Sequence, residues 1–107
     1  MKESAIQAAV MEHWKLVGCP NTLIGCIPNA KAHGQPGLTK GLPDLLVLGP
    51  HVPGHVALVE LKRDYRSIVS DDQRLLARLC WDLGVTWELA RGRDEPIELL
   101  RTWGVVR

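Results

Sequence analysis

The 107-residue chain has no phenylalanine, one tyrosine, three cysteines and a formal charge of only +1. With so few aromatic rings available, Trp14, Trp81, Trp87 and Trp103 are expected to supply much of the core bulk. A tryptophan left exposed would mark an oligomer contact. Cys19, Cys26 and Cys80 form no Cys-x-x-Cys pair and leave an odd one over, which excludes a disulfide framework and a zinc knuckle. No stretch approaches the roughly 18 consecutive apolar residues of a membrane span. The start, Met1-Lys2-Glu3-Ser4-Ala5, lacks the features of a signal peptide. The expectation is a protein without a membrane partner, placed in the cytoplasm, and in the host cytoplasm if it is phage-encoded. The small net charge means that any binding of nucleic acid must rest on local clusters of basic residues. A 46% hydrophobic content over this length supports one modest core, hence a single stand-alone domain over residues 1-107.

What is present is an order of elements. Ile6, Ala9, Val10, His13, Trp14 and Val17 recur at helical spacing, which predicts a first helix over 4-17, ended by Gly18 and Pro20. Ser4 and Gln7 have the spacing of a capping box. Thr22 to Ile27 reads as a short strand between prolines, and Leu45-Leu46-Val47-Leu48 and Val56 to Lys62 read as a hairpin joined through Gly49 to His55. Ser70-Asp71-Asp72-Gln73 is another capping-box pattern, opening a helix whose Leu76, Leu79, Cys80 and Leu83 share a face, with Gly84 as C-terminal cap. Val85 to Ala90 is a strand again, and a strand-helix-strand order suggests a right-handed crossover to a parallel neighbour. Asp94 is expected to cap a last helix running to about Trp103. The fold class is therefore α/β, in the order α-β-β-β-α-β-α, with a small mixed central sheet flanked by helices.

The chemistry concentrates in two short motifs. Asp44 follows Pro43 at the head of one apolar run, and Glu60-Leu61-Lys62 closes another sixteen positions later. A strand's alternation puts Glu60 and Lys62 on one face and Val59 and Leu61 on the other. Carboxylate and ammonium are then neighbours, roughly 7 Å apart along the strand. A hard divalent cation such as Mg²⁺ or Mn²⁺ takes oxygen ligands, so Asp44, Glu60 and the backbone carbonyl of Leu61 form a sufficient protein set. Lys62 is placed to hold or deprotonate an attacking water. Cation and ammonium together offset the charge that builds on a phosphorus under in-line attack, which points to phosphodiester hydrolysis. An isolated Glu-x-Lys carries no weight by itself; its position at the end of an apolar strand, below a Pro-Asp and before a capped helix, gives it meaning.

Gly41-Leu42-Pro43-Asp44-Leu45-Leu46-Val47, Val59-Glu60-Leu61-Lys62-Arg63 and Ser70-Asp71-Asp72-Gln73 resemble the core motifs of the PD-(D/E)XK nucleases, and more narrowly of the VRR-NUC (virus-type replication-repair nuclease) group. Glu3-Ser4-Ala5-Ile6-Gln7 is similar to that group's opening helix, so the resemblance covers nearly the whole chain. It implies a restriction-endonuclease-like core, with Asp44 and Glu60 as metal ligands, Lys62 as the catalytic lysine, Gln73 in the active site and Glu3 as an accessory acidic residue. It also implies DNA as substrate, products with 5′-phosphate and 3′-hydroxyl ends, and a homodimer for a nuclease domain standing alone. For Gln73 the capping box is a sufficient structural explanation. For Glu3, so is the helix dipole.

The stretch from Asn29 to Gly41 lacks periodicity and is rich in glycine and donors. It leads into Asp44, so Lys31, His33, Thr39 and Lys40 are candidates for contact with a phosphate backbone, joined by Arg63 and Arg66 beyond the catalytic strand. Tyr65 is a candidate to stack on a base. His51 and His55 have a His-x-x-x-His spacing, but the prolines and glycines around them exclude the helix a zinc site would need, leaving solvated turn residues. The function expected is a Mg²⁺- or Mn²⁺-dependent DNA endonuclease, acting on duplex or on branched, junction-like DNA as a homodimer with two sites. A catalytically silent nucleic-acid-binding module of the same fold, and a nuclease acting on RNA, are the alternatives the residues leave open.

Overall fold

The structure is a computed structural model and describes residues 1-28 and 39-107. Lys31 and His33 lie outside the described residues. The element order is α1 (Glu3–Val17), β1 (Leu23–Cys26), β2 (Leu45–Leu48), β3 (Val56–Lys62), α2 (Asp71–Leu83), β4 (Thr86–Arg91) and α3 (Asp94–Thr102). This is the expected order. The strands form one sheet in the order β1-β2-β3-β4, antiparallel from β1 to β3 and parallel between β3 and β4. A mixed sheet follows from the connections, since β2 and β3 are joined by a tight turn while β3 reaches β4 through α2.

The two faces of the sheet differ. On one, Val47, Ala57, Val59, Leu61 and Ala90 are fully buried with Ile6 and Val10 of α1 and Leu100 of α3. Each large aliphatic side chain buried there contributes about 1.5–3 kcal/mol. Trp103 joins this core, as do Val105 and Val106 of the C-terminal tail, which is tied down by Cys19 N–H donating to the Val105 carbonyl and Arg107 N–H donating to that of Val17. Trp14 packs against the same core and donates its indole N–H to Thr22 Oγ1 at 3.0 Å. The other face carries Leu58, Glu60 and Lys62 on β3 beside Trp87, Leu89 and Arg91 on β4. Only α2 covers it.

Three local expectations are corrected, and the exposed turn at His51 and His55 is as expected. Lys2, not Ser4, is the N-cap of α1, and no side chain caps it, because the helix begins at Glu3 and Ser4 is already inside. Asp94 is the first residue of α3 rather than its cap; Arg93 holds the cap position. The turn before β3 holds a short 3-10 turn at Pro53–His55, made possible by Gly54 at a φ of +69°, while His51 and His55 are exposed. On α2 the face toward the sheet is narrow: Ala77 and Cys80 are buried, while Leu75, Leu79 and Leu83 are exposed and Trp81 is 69% exposed. The helix packs chiefly against β4, with Gln73 reaching Glu60 of β3, so one row of small side chains suffices to seat it. Of the four tryptophans, Trp81 therefore supplies no core bulk.

Candidate active site

The site lies where β2 begins and β3 ends. Antiparallel pairing sets Leu45 opposite Val59, which places Asp44 opposite Glu60, one step beyond the last paired residues. Asp44 Oδ2 accepts a 2.7 Å hydrogen bond from Leu61 N–H. In an extended strand the N–H and C=O of one residue point to the same edge, so the Leu61 carbonyl faces the Asp44 side as well. The alternation along β3 sends Val59 and Leu61 into the core and Glu60 and Lys62 to the face under α2, as expected. Glu60 and Lys62 are themselves buried, at 4% and 8% exposure.

The charged pair is in contact. Lys62 Nζ stands 3.6 Å from Glu60 Oε2, and Gln73 Nε2 donates to the same oxygen at 3.1 Å. Gln73 does two things at once. Its Oε1 accepts from Ser70 N–H at 2.9 Å while Ser70 Oγ accepts from Gln73 N–H at 3.2 Å, which completes the capping box. The cap thereby fixes the amide whose other end holds Glu60, so the capping role and a place beside Glu60 are compatible in one side chain.

The loop entering Asp44 is keyed to that helix start. Gly41 has a φ of +86°, and a Cβ there would come within 2.5 Å of the Asp72 carbonyl oxygen. Only glycine allows this approach, which links the position of Asp44 to that of Gln73.

Glu3, Asp44, Glu60, Lys62 and Gln73 line one enclosed cavity of about 60 Å³, closed by Ile27, Leu42 and Pro43. All five residues singled out as catalytic therefore meet. The first turn of α1 delivers Glu3, so its seat at a helix N-terminus and its place on the cavity wall are compatible. The substrate-contact candidates are dispersed. Arg63, Arg66 and Lys40 are exposed and do not line the cavity; Arg63 lies 3.7 Å from Asp64, and Arg66 N–H donates to that carboxylate. Tyr65 is exposed, donates to Glu95 at 2.5 Å and has Arg91 over its ring.

Electrostatics gives the cavity its character. Burial foremost, and the Asp44 carboxylate second, push the Glu60 carboxyl up to about 8, with Lys62 pulling it down and Glu3 adding to the rise. A buried Glu60 carboxyl beside the half-buried Asp44 resists ionisation unless a cation stands with them. The donor set fits a hard divalent ion. Lys62 and Gln73 both contact Glu60 Oε2, leaving Oε1 outside those bonds, and Asp44 Oδ1 is outside the bond to Leu61. Among the described residues no group of three or more His, Cys, Asp or Glu side chains is arranged around a metal position. Two carboxylates, a carbonyl and waters suit Mg²⁺ or Mn²⁺ better than Zn²⁺.

No family model and no curated protein matches the sequence. Solved structures do. A chain described as "VRR_NUC domain protein" is similar over all of this chain and 97% of its own length, with a TM-score of 0.76 and 22% identity. Another, described as "VRR_NUC domain", is similar over 92% of both chains, with a TM-score of 0.64 and 20% identity. The arrangement of helices and sheet that brings Asp44, Glu60 and Lys62 together is thus, over the whole length of the chain, the fold of a VRR-NUC domain.

Proposed function

We propose that the protein is a divalent-metal-dependent DNA endonuclease with one catalytic cavity per chain. The observation that carries this reading is the convergence of Asp44, Glu60, Lys62, Gln73 and Glu3 on one small carboxylate-rich cavity in which Glu60 and Lys62 are buried. Burying like charges together is costly, and nothing in the folding of a small α/β domain requires it. The structural neighbours, named for a nuclease domain, point the same way.

Asp44, Glu60 and the Leu61 carbonyl would hold Mg²⁺ or Mn²⁺, which when bound supplies positive charge to the phosphate under attack. Lys62 donates hydrogen bonds and a full charge. Anchored against Glu60, its ammonium would orient the attacking water and share the negative charge that develops as the water oxygen bonds phosphorus and the bond to the 3′ oxygen breaks. The products would be 5′-phosphate and 3′-hydroxyl ends. Gln73 holds Glu60 so that the carboxylate does not swing away when protonated or unpaired. A homodimer would give the two sites that a duplex or a junction needs. The exposed Leu75, Leu79 and Leu83, which recur every fourth residue along α2, form the surface it would bury.

The test compares plasmid, linear duplex, single-stranded and four-way-junction DNA with Mg²⁺ or Mn²⁺, using wild type, Lys62→Ala and Asp44→Ala. Cutting by wild type alone is expected. Equal cutting by all three proteins, or binding of DNA with no cutting by any, overturns the reading.

A further inference from the structure

A second concavity opens beside the catalytic cavity, between the outer flank of α2 and β4. Its volume is about 560 Å³, in the range of ligand sites, and its walls include Arg74, Arg78 and Arg91 together with the indoles of Trp81 and Trp87. Among the described residues, no carboxylate lines it. Arg78 is held 3.6 Å from Asp82 one helical turn on, and Arg91 lies 5.1 Å over the Tyr65 ring, so the guanidiniums are spread along the groove rather than gathered at one point.

The groove contains two hydrogen-bond donors without acceptors. Trp87 Nε1 and Arg91 Nε are shielded from solvent and have no partner among the described residues. A buried donor left unpaired is destabilising, and an acceptor brought to the groove wall by a water or a ligand would relieve it. Trp81 is unusual in the opposite sense, as an indole that is mostly exposed beside an equally exposed Ile68.

Position links this groove to the catalysis. In the parallel pairing of β3 and β4, Glu60 is opposite Leu89 and Lys62 opposite Arg91, on the same face and one strand spacing, about 4.8 Å, apart. On α2, Gln73 reaches into the catalytic cavity and the next residue, Arg74, lines the groove. A strand whose phosphate lay at Lys62 would meet Arg91 and Arg74 as it continued.

We propose that this groove binds an unpaired stretch of DNA that runs on from the scissile phosphate, its bases stacked on Trp81 and Trp87 and its phosphates on Arg74, Arg78 and Arg91. Flat apolar walls with guanidiniums between them match the alternation of base and phosphate in a single strand. A duplex keeps its base faces stacked inside and offers nothing to the indoles. An acidic partner protein would satisfy the arginines but leaves the mostly exposed indole of Trp81 unexplained. The inference rests on the nuclease reading for its purpose and deepens it, because a site flanked by a single-strand groove selects tailed or branched DNA.

The test measures binding without cutting. Fluorescence anisotropy with labelled dodecathymidylate and with a blunt duplex, both in EDTA, compares wild type with Trp81→Ala, Arg74→Ala and Arg78→Ala. The three residues are exposed, so the variants keep their fold, which circular dichroism verifies. Trp81→Ala is expected to weaken dodecathymidylate binding about tenfold and duplex binding less than twofold. Each arginine variant is expected to lower the slope of log K against log salt by about 0.7 for the single strand. Failure of wild type to bind dodecathymidylate, an unchanged affinity in Trp81→Ala, or an equal loss on the duplex overturns the groove. Binding through Trp81 by a protein that cuts no DNA in Mg²⁺ or Mn²⁺ upholds the groove and removes the nuclease reading.

Discussion

The two faces of the sheet are built on opposite terms. Under α1 and α3, Val59 and Leu61 are sealed into a dry apolar core. One residue away on the same strand, Glu60 and Lys62 are almost as buried yet ionisable, under a helix that packs chiefly against the edge strand β4. Strand alternation allows this split, since a period of two sends adjacent residues to environments with nothing in common. The comparison teaches where stability and chemistry reside. The core face stabilises the fold, and the α2 face spends part of that stability on holding carboxylates together.

The largest effect should come from the core face. Leu100→Ala removes a side chain that is 1% exposed and is expected to cost about 2–5 kcal/mol, read as a shift of the urea midpoint, while the protein that remains folded keeps its metal response. Lys62→Ala should do the reverse. Cleavage is expected to fall roughly 10²–10³-fold, with a melting temperature near that of wild type. A variant that lost both together would erase the division between the faces.

Protonation sharpens the comparison. Glu60 titrates near 8 in the folded chain and near its ordinary 4.5 when unfolded, so between these values the folded state binds more protons. Stability contributed by the protonated carboxyl is fully present below about 4.5 and is lost as the pH rises through about 8, amounting to a few kcal/mol at about 1.4 per unit. Thermal melts of the metal-free protein should show that decline, and Glu60→Gln should flatten it. Mn²⁺, which needs the ionised form, should stabilise wild type more at pH 8 than at pH 5 and leave Glu60→Gln unchanged.

The smallest effect is assigned to the cap. Ser70→Ala is expected to cost about 1 kcal/mol, and to lower cleavage a few-fold by freeing the Gln73 amide that holds Glu60. Restoring the hydroxyl with Ser70→Thr should recover both.

How much of this was legible in the sequence follows from what each pattern encodes. Asp44, Glu60 and Lys62 were readable because strand alternation and hairpin pairing fix both face and neighbour. Gln73 was readable as a cap, and the opposite end of its amide meets Glu60. Helix periodicity was less informative for α2. It grouped Leu76, Leu79, Cys80 and Leu83 on one face, but could not show that the sheet would meet a narrower row and leave Leu79 and Leu83 in the open. The groove was missed because its parts lie far apart in sequence, in Arg74, Trp81 and Arg91, and their union depends on β4 lying parallel to β3. Ser4 misled because a capping-box spacing does not fix where a helix starts, and here Glu3 is already helical.

A crystal soaked in Mn²⁺ and read by anomalous scattering tests the central claim most directly. The account predicts one peak between Asp44 and Glu60, within bonding distance of the Leu61 carbonyl. Manganese bound elsewhere, or an intact fold with no manganese at that position, would contradict it.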